Sequence, residues 1–390
     1  MRMQRRHAGV ASLVAVSLAL AACTGGGGTI DVGKGLCREV GDATAATPAP
    51  VEATGTSDAK IGVVTDVGTL DDKNFNEYSW IGTQQGAASI GAPSPQAIVT
   101  QNSADYATNI QTLIDDDYSV IVTVGFALGA ATLEAATANP DVHFIGVDQF
   151  QAGDDPVAGA GLANYESLIF NEAQAGYLAG IVAASISQSN VIAAIGGSGT
   201  IPPVVNYMRG YENGAKSVKS DITVHLKYVS NDLGVAFNDP TTGKSFADQF
   251  LSQNPDTDVM FQVAGKTGNG VLQSVVAAGI YGIGVDVDQW ISLPDQAQCI
   301  VTSAEKHLSM AVREGIEAFA GDSARAGNVF YGADNEGIGT SPYYQFDGNV
   351  ITQEIKDAVS NAFDEMAAGN LDPCQPSGLC YAGTEDTGTE

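Results

Sequence analysis

Short, uninterrupted apolar runs alternate with longer stretches of mixed polarity from Ala59 to about residue 370. Residues 61–65, 97–100, 120–124 and 143–147 read as short buried strands. Residues 76–89, 106–115 and 128–138 read as the helices between them, the last stopped by Pro140. The second half repeats the theme, with strands expected at 191–195, 223–229, 259–263, 281–285 and 299–303 and another near Val329. Its helices are expected at 172–187, 204–216, 243–253, 268–278, 308–320 and 352–368. Continuous apolar strands separated by helices predict parallel βαβ units with both sheet faces covered. Two such series predict an α/β protein of two lobes, each a parallel sheet flanked by helices, with ligands beyond the carboxyl ends of the strands.

The N-terminus has a different pattern. Arg2, Arg5 and Arg6 precede an apolar run from Val10 to Ala22, too short for a comfortable membrane span. The run ends Leu20-Ala21-Ala22-Cys23, the order of small residues and thiol that lipoprotein processing needs. Residues 1–22 therefore read as a lipoprotein signal peptide and Cys23 as the lipidation site. Residues 23–58, rich in Gly, Thr, Ala and Pro, read as a flexible tether.

Composition narrows the function. The 390 residues hold 17 Lys+Arg against 45 Asp+Glu, a formal net charge of −28. That excludes a basic face able to collect nucleic-acid phosphates. Besides Cys23, the chain holds Cys37, Cys299, Cys374 and Cys380, an even set that suits disulfides outside the cytoplasm. The short Pro- and Gly-bearing loop favours a local Cys374–Cys380 bridge, leaving Cys37 with Cys299, although four Cys allow three connectivities. Zinc spacing is absent, and no metal or cofactor is expected.

Catalytic patterns find little support. Gly243-Lys244-Ser245 could end a Walker loop, but position 238 is Asn where the first Gly belongs. Gly196-Gly197-Ser198-Gly199-Thr200 lacks the last Gly of a nucleophile elbow and reads as a tight strand-to-helix turn. His143, His225 and His307 have no partner at metal spacing. Polar residues at strand ends are more informative. Asp66, Asp148 and Asp286 each follow a strand, the last two in repeated Ile-Gly-Val-Asp strings. The loop from Asp66 to Asn76 places Phe75 in polar surroundings at a helix start, where Asn74 reads as a cap.

Several blocks carry a family resemblance. They are Gly-Val-Val-Thr-Asp66-Val-Gly with Asp71-Asp72-Lys73-Asn74-Phe75-Asn76, Asn139-Pro140-Asp141-Val142-His143-Phe144, Tyr177-Leu178-Ala179-Gly180, and Gly196-Gly197 through Gly210-Tyr211. Further on come Ala264-Gly265-Lys266-Thr267-Gly268-Asn269-Gly270, Gly284-Val285-Asp286-Val287-Asp288-Gln289 and Thr302-Ser303-Ala304-Glu305-Lys306. In this order, between Lys60 and Tyr344, the chain resembles the basic membrane protein family of lipoproteins, the purine-nucleoside receptors of ABC transporters.

The resemblance implies a type I two-lobed binding protein that holds a nucleoside between its lobes and delivers it to an ABC permease, without catalysis. It assigns base stacking to Phe75, with Phe237 as the second aromatic. Asp148 and Asp286 take the ribose hydroxyls, Asp66 faces the base or sugar edge, Asn76 touches the base, and Lys306 falls on the family lysine. Gly268 is expected to let backbone approach the ligand. The chain is expected to cross between lobes near Tyr165, Val301 and Ala326. One lobe is then 59–165 with 301–326, the other 166–300 with 327–372, followed by a Cys-containing, acidic, disordered tail at 373–390. A monomer tethered to the membrane through Cys23 is expected. The rival readings are the same fold binding a sugar or other polar solute, a sensory receptor ectodomain, and a secreted nucleoside hydrolase.

Overall fold

The apolar runs are strands because both of their faces are covered. All five residues of β1 (Ile61–Thr65), β3 (Val120–Val124) and β4 (His143–Val147) are buried. With β2 (Gln96–Val99), β5 (Tyr165–Phe170) and β11 (Gly327–Tyr331) they form a six-stranded sheet in the order β11-β5-β4-β3-β1-β2, parallel throughout. The second sheet joins β6 (Val191–Gly196), β7 (Thr223–Tyr228), β8 (Val259–Val263), β9 (Tyr281–Asp286), β10 (Ile300–Lys306) and β12 (Ile338–Thr340) in the order β12-β10-β9-β8-β6-β7. Only β12 there is antiparallel, on β10. The structure is a computed structural model that describes residues 34–42, 51–153, 155, 157–321, 323–375, 380, 381 and 383–389. The signal segment 1–22 and Cys23 lie outside the described residues.

Helices α1 (Phe75–Ser89), α2 (Tyr106–Asp115), α3 (Gly129–Ala138) and α10 (Leu308–Ala320) belong with the first sheet. The second carries α4 (Glu172–Ile186), α5 (Pro202–Val218), α6 (Leu233–Asn238), α7 (Pro240–Gln253), α8 (Gly265–Ala278), the short α9 (Gln289–Ser292) and α11 (Gln353–Ala367). Almost the whole circumference of α4 is buried, which explains its lack of a polar face. It meets α5 backbone to backbone. A Cβ on Gly176 or Gly180 would lie 2.2 or 2.1 Å from the carbonyl oxygens of Tyr207 and Tyr211. Added on Gly210 or Gly214, it would lie 2.1 or 2.0 Å from those of Ala173 and Tyr177. This close crossing holds the first half of α4 against the middle of α5.

Sheet membership moves the expected crossings later in the chain. Tyr165 opens β5 of the first sheet, so the chain leaves that lobe after Phe170. Val301 lies in β10 of the second sheet, and the return comes at Lys306–His307. Ala326 precedes β11, which still belongs to the first sheet, so the third crossing lies between Tyr331 and Ile338. Strand hydrogen bonding decides each case, and charged residues within or beside the strands had hidden their true extents.

The tether reading is also corrected where the structure describes it. Leu36 donates its N–H to Gly279 (3.0 Å), Arg38 donates to Gln298 (2.8 Å), and Cys37 is joined to Cys299 by a disulfide. Thr54 and Ser57 donate to Ser89 (2.7 Å) and Gly91 (3.3 Å) at the end of α1. Both lobes thus tie down part of this segment. The acidic tail is likewise docked over 383–389: Asp386 pairs with Arg209, and Thr389 bonds to Leu226 on β7. A disulfide joins Cys374 and Cys380 just before it.

Candidate functional site

The carboxyl ends of the two sheets face each other across a cleft. Asp66 follows β1, Phe126 follows β3 and Asp148 follows β4 on one side. Val263, Asp286 and Lys306 end β8, β9 and β10 on the other. The cleft encloses about 720 Å³ including its mouth, within the rough 300–1,000 Å³ range of small-molecule sites.

Lys306 organises its floor. Its ammonium is buried 2.5 Å from Asp148 Oδ2, 3.3 Å from Glu172 Oε1 and 4.0 Å from Asp286 Oδ1. The rings of Phe75, Phe170 and Tyr207 surround it, with centroids 5.4, 5.5 and 5.5 Å away. Burial works against the Lys306 charge, but Asp148, Glu172 and Asp286 outweigh it and hold the ammonium above the ordinary lysine range. Burial likewise raises Glu172, with Lys306 opposing, and pushes Asp286 up to about 6 against the same lysine. Tyr207 donates its hydroxyl to Asp286 Oδ1 (3.2 Å), and Asn206 donates to Glu172 Oε2 (3.2 Å). Asp148 Oδ1 is buried without a protein partner.

Asp148 and Asp286 share an unusual backbone. Both are left-handed, at φ 59° and 63°. Such a conformation in a non-glycine residue carries strain and re-aims the carboxylate at the strand end. In each string the preceding Gly makes room for a glutamine folded back over it. A Cβ on Gly146 would lie 2.5 Å from Gln149 Oε1, and one on Gly284 would lie 2.8 Å from Gln289 Cβ.

Asp66 accepts from the N–H groups of Val67 (2.6 Å) and Ala127 (3.3 Å). Desolvation pushes its carboxyl up to about 7, and the charge of Asp148 adds to the effect. The carboxylate fits because residue 125 is glycine at φ 114°, where a Cβ would fall 2.1 Å from Asp66.

The loop after Asp66 departs from expectation. Asp72, not Asn74, caps α1: its carboxylate accepts from the N–H groups of Asn74 (2.8 Å), Asn76 (2.9 Å) and Glu77 (3.0 Å). Desolvation brings Asp72 to about 6 against those bonds. Asn76 donates Nδ2 to the Val67 carbonyl (2.9 Å) and leaves Oδ1 buried without a partner at the cleft. Phe75 and Phe237 both line the cleft, the first from α1 and the second from α6. Gly268 does not. A Cβ there would lie 1.6 Å from Gln262 Oε1, so glycine accommodates a buried glutamine, while Gly265 lines the cleft.

The lobes also bond directly across the cleft rim. Lys266 Nζ donates to Thr69 Oγ1 (3.1 Å), Asn269 Nδ2 to the Asp72 carbonyl (2.9 Å), and Ser292 Oγ to the Lys73 carbonyl (2.8 Å). Lys73 presents that carbonyl from a left-handed backbone, φ 62°.

The structure therefore brings Asp66, Phe75, Asn76, Asp148, Phe237, Asp286 and Lys306 to one cleft and excludes Gly268. Glu172, Tyr207 and Phe126 join them, although sequence reasoning did not select them. Glu172 had a legible signal, as the single charge at the head of an otherwise uncharged Ala- and Gly-rich helix. Among the described residues, no group of three or more His, Cys, Asp or Glu is arranged to hold a metal ion. No described helix is long and apolar enough to cross a membrane.

Two α/β lobes joined by three crossings, with a polar, aromatic-lined cleft between them, define the class of two-lobed solute-binding proteins. A solute-binding protein of an ABC transporter system from Aeropyrum pernix K1 has this fold, at a TM-score of 0.69 and 23% identity over 80% of this chain and 92% of its own. Residues 59–368 match the family described as ABC transporter substrate-binding protein PnrA-like, and the chain belongs to that family. The ABC transporter nucleoside-binding protein BmpA of Lactococcus lactis subsp. cremoris is 30% identical over 343 residues, covering 82% of this chain and 92% of the relative. Basic membrane protein A of Borreliella burgdorferi is 28% identical over 257 residues, covering 65% of this chain and 70% of the relative.

Proposed function

We propose that this substrate-binding protein captures a nucleoside, with a purine base, between Phe75 and Phe237 and presents it to an ABC permease from a lipid anchor on Cys23. The observation that carries the reading is a pair of buried acceptors at the cleft, Asp148 Oδ1 and Asn76 Oδ1, that find no partner in the protein. A buried acceptor left unmade costs about 1–3 kcal/mol, so the cleft is complete only with a ligand rich in donors. Ribose hydroxyls satisfy Asp148, with Asp286 and Lys306 beside it. The edge of the base meets Asn76 and Asp66. A carboxyl near neutrality, such as Asp66, both donates and accepts, which suits a base edge that offers both kinds of group. The Asp148 and Asp286 carboxylates repel a phosphate, which favours nucleoside over nucleotide. The nucleoside-binding name of the Lactococcus relative supports the same choice.

Stacking contributes about 1–3 kcal/mol per ring. Each charged hydrogen bond adds about 1.5–3 kcal/mol. Together, less the cost of closure, these reach micromolar binding, near −8 kcal/mol. The test is calorimetric titration of ligand-stripped protein with adenosine, guanosine, inosine, cytidine, uridine and ribose. Saturable binding of nucleosides but not ribose supports the reading. Silence across the panel, or a response to ribose alone, overturns it. Membrane fractionation of Cys23→Ala tests the anchor, with release from the membrane expected.

A further inference from the structure

The C-terminal tail lies outside the stretch that matches the family, yet it bonds to the second lobe at several points. Asp386 meets Arg209 of α5 through two parallel bonds, Nε to Oδ2 and Nη2 to Oδ1, both 2.7 Å. The paired side chains are only 17% and 9% exposed, and a bidentate pair of this kind fixes orientation as well as charge. The Asp386 N–H donates to the Gly199 carbonyl (2.9 Å). A Cβ on Gly199 would lie 1.9 Å from the Asp386 carbonyl oxygen, so the glycine that ends the Gly196-Gly197-Ser198-Gly199 turn makes room for the tail. Glu385 accepts from Asn231 Nδ2 (2.8 Å), whose Oδ1 in turn accepts from Ser198 Oγ (3.0 Å). Thr389 exchanges bonds with Leu226 on the outer strand β7, N–H to carbonyl at 3.0 Å and Leu226 N–H to Oγ1 at 2.8 Å.

These anchors hold the turns from which the cleft wall continues. The turn held at Gly199 leads into Ile201, Val204 and Tyr207, and the turn held at Asn231 leads into Leu233 and Phe237, all facing the cleft. A second link runs inward. The Tyr381 N–H donates to Asn206 Oδ1 (3.0 Å), and Asn206 Nδ2 holds Glu172, which lies 3.3 Å from Lys306. We infer that residues 383–389, together with Tyr381, are a positioning strap that holds the second-lobe wall and the Asn206–Glu172–Lys306 line in ligand-binding geometry, so that tail docking and cleft occupancy are coupled. The inference rests on the proposed nucleoside site. Coupling is reciprocal: the tail raises ligand affinity, and ligand protects the tail.

The test uses the full chain, Asp386→Asn, Asp386→Glu and a chain stopped after Ala382, which keeps the Cys374–Cys380 loop. Hydrogen exchange without ligand reads docking, and inosine and adenosine titrations read coupling. The stopped chain should exchange faster at 197–209 and 226–237 while β1 and β4 stay protected. Its nucleoside dissociation constants should rise by a common factor of about 5 or more. Asp386→Asn should move in the same direction, and Asp386→Glu should recover part of the loss. Unchanged exchange at both stretches overturns the docking, and unchanged affinity despite faster exchange overturns the coupling. If the full chain binds no nucleoside, the ligand reading fails, and the strap is judged by exchange alone: faster exchange at Asn206 and Phe237 keeps it, and unaltered exchange removes it.

Discussion

Lys306 Nζ lies 2.5 Å from Asp148 Oδ2, and the two residues come from different lobes. Lys306 ends a strand of the second sheet, and Asp148 follows a strand of the first. The pair joins the lobes beneath the cleft while leaving Asp148 Oδ1 free for a ligand. Removing one partner of a buried pair costs more than the pair itself contributes, because the survivor keeps its desolvation penalty. Asp148→Asn keeps the shape and removes the charge. It should weaken nucleoside binding by about 1.5–3 kcal/mol, the range for a hydrogen bond to a charged group. Calorimetry against wild type checks this, and equal affinities would take Asp148 out of the site.

The cleft carboxyls give the protein a pH dependence of defined sign. Burial raises Asp66 to about 7 and Asp72 and Asp286 to about 6. Glu305, beside Lys306, reaches about 8, chiefly by burial and partly through the charge of Asp288. Acids raised in the folded state bind more protons there than in the unfolded chain. Their stabilising contribution is fully present below the ordinary carboxyl range, near 3.8 for Asp, and is lost as pH rises through about 6 to 8. The melting temperature of ligand-free protein should therefore fall between about pH 5 and pH 8. Asp66→Asn cannot ionise and should flatten that slope. A slope identical to wild type would mean that Asp66 keeps an ordinary carboxyl.

Phe75 and Phe237 reach the cleft from opposite lobes. Replacing either by Ala should weaken nucleoside binding by about 1–3 kcal/mol, the contribution of one base–aromatic stack. The loss should be sequence-tolerant, affecting every nucleoside bound, because each base has a π-face. Thermal melts of the ligand-free variants separate stacking from packing. A large drop in melting temperature with unchanged affinity would assign the ring to the lobe interior.

Much of this was legible in the sequence. The fully apolar strands announce themselves, and the Asp residues that follow them are conspicuous because a charge ends each run. Strands that carry buried charge were harder to read. Glu166 interrupts β5, and the run becomes a strand because Arg325, far away in sequence, meets its carboxylate at 3.1 Å. Strand β10 continues through Glu305 and Lys306, and the Lys306 charge is met by Asp148 of the other lobe. Glu172 and Tyr207 depend on the glycine-mediated crossing of α4 and α5, a contact with no local signature. The role of Gly268 was misread because the glutamine that needs its space, Gln262, stands on the neighbouring strand. The tail reads as acidic and disordered, and it is held by partners far away in sequence, Arg209 on α5, Gly199, Asn231 and Leu226.

The cross-lobe bonds at the rim make a prediction separate from the ligand contacts. Asn269 and Ser292 donate to main-chain carbonyls of Asp72 and Lys73, and neither residue lines the cleft. Their bonds to Asp72 and Lys73 act on the closed state alone, since an open cleft separates donor from acceptor. A ligand that needs the closed state has its apparent affinity scaled by the closed fraction. Asn269→Leu and Ser292→Ala should therefore raise the dissociation rate of every nucleoside by a common factor, leaving the order of base preference unchanged. Each lost bond is worth about 0.5–1.5 kcal/mol, a factor of roughly 2 to 13. Stopped-flow dissociation with two different nucleosides checks the factor. Unequal factors would place these side chains in base recognition, and no change would mean that closure does not depend on the rim.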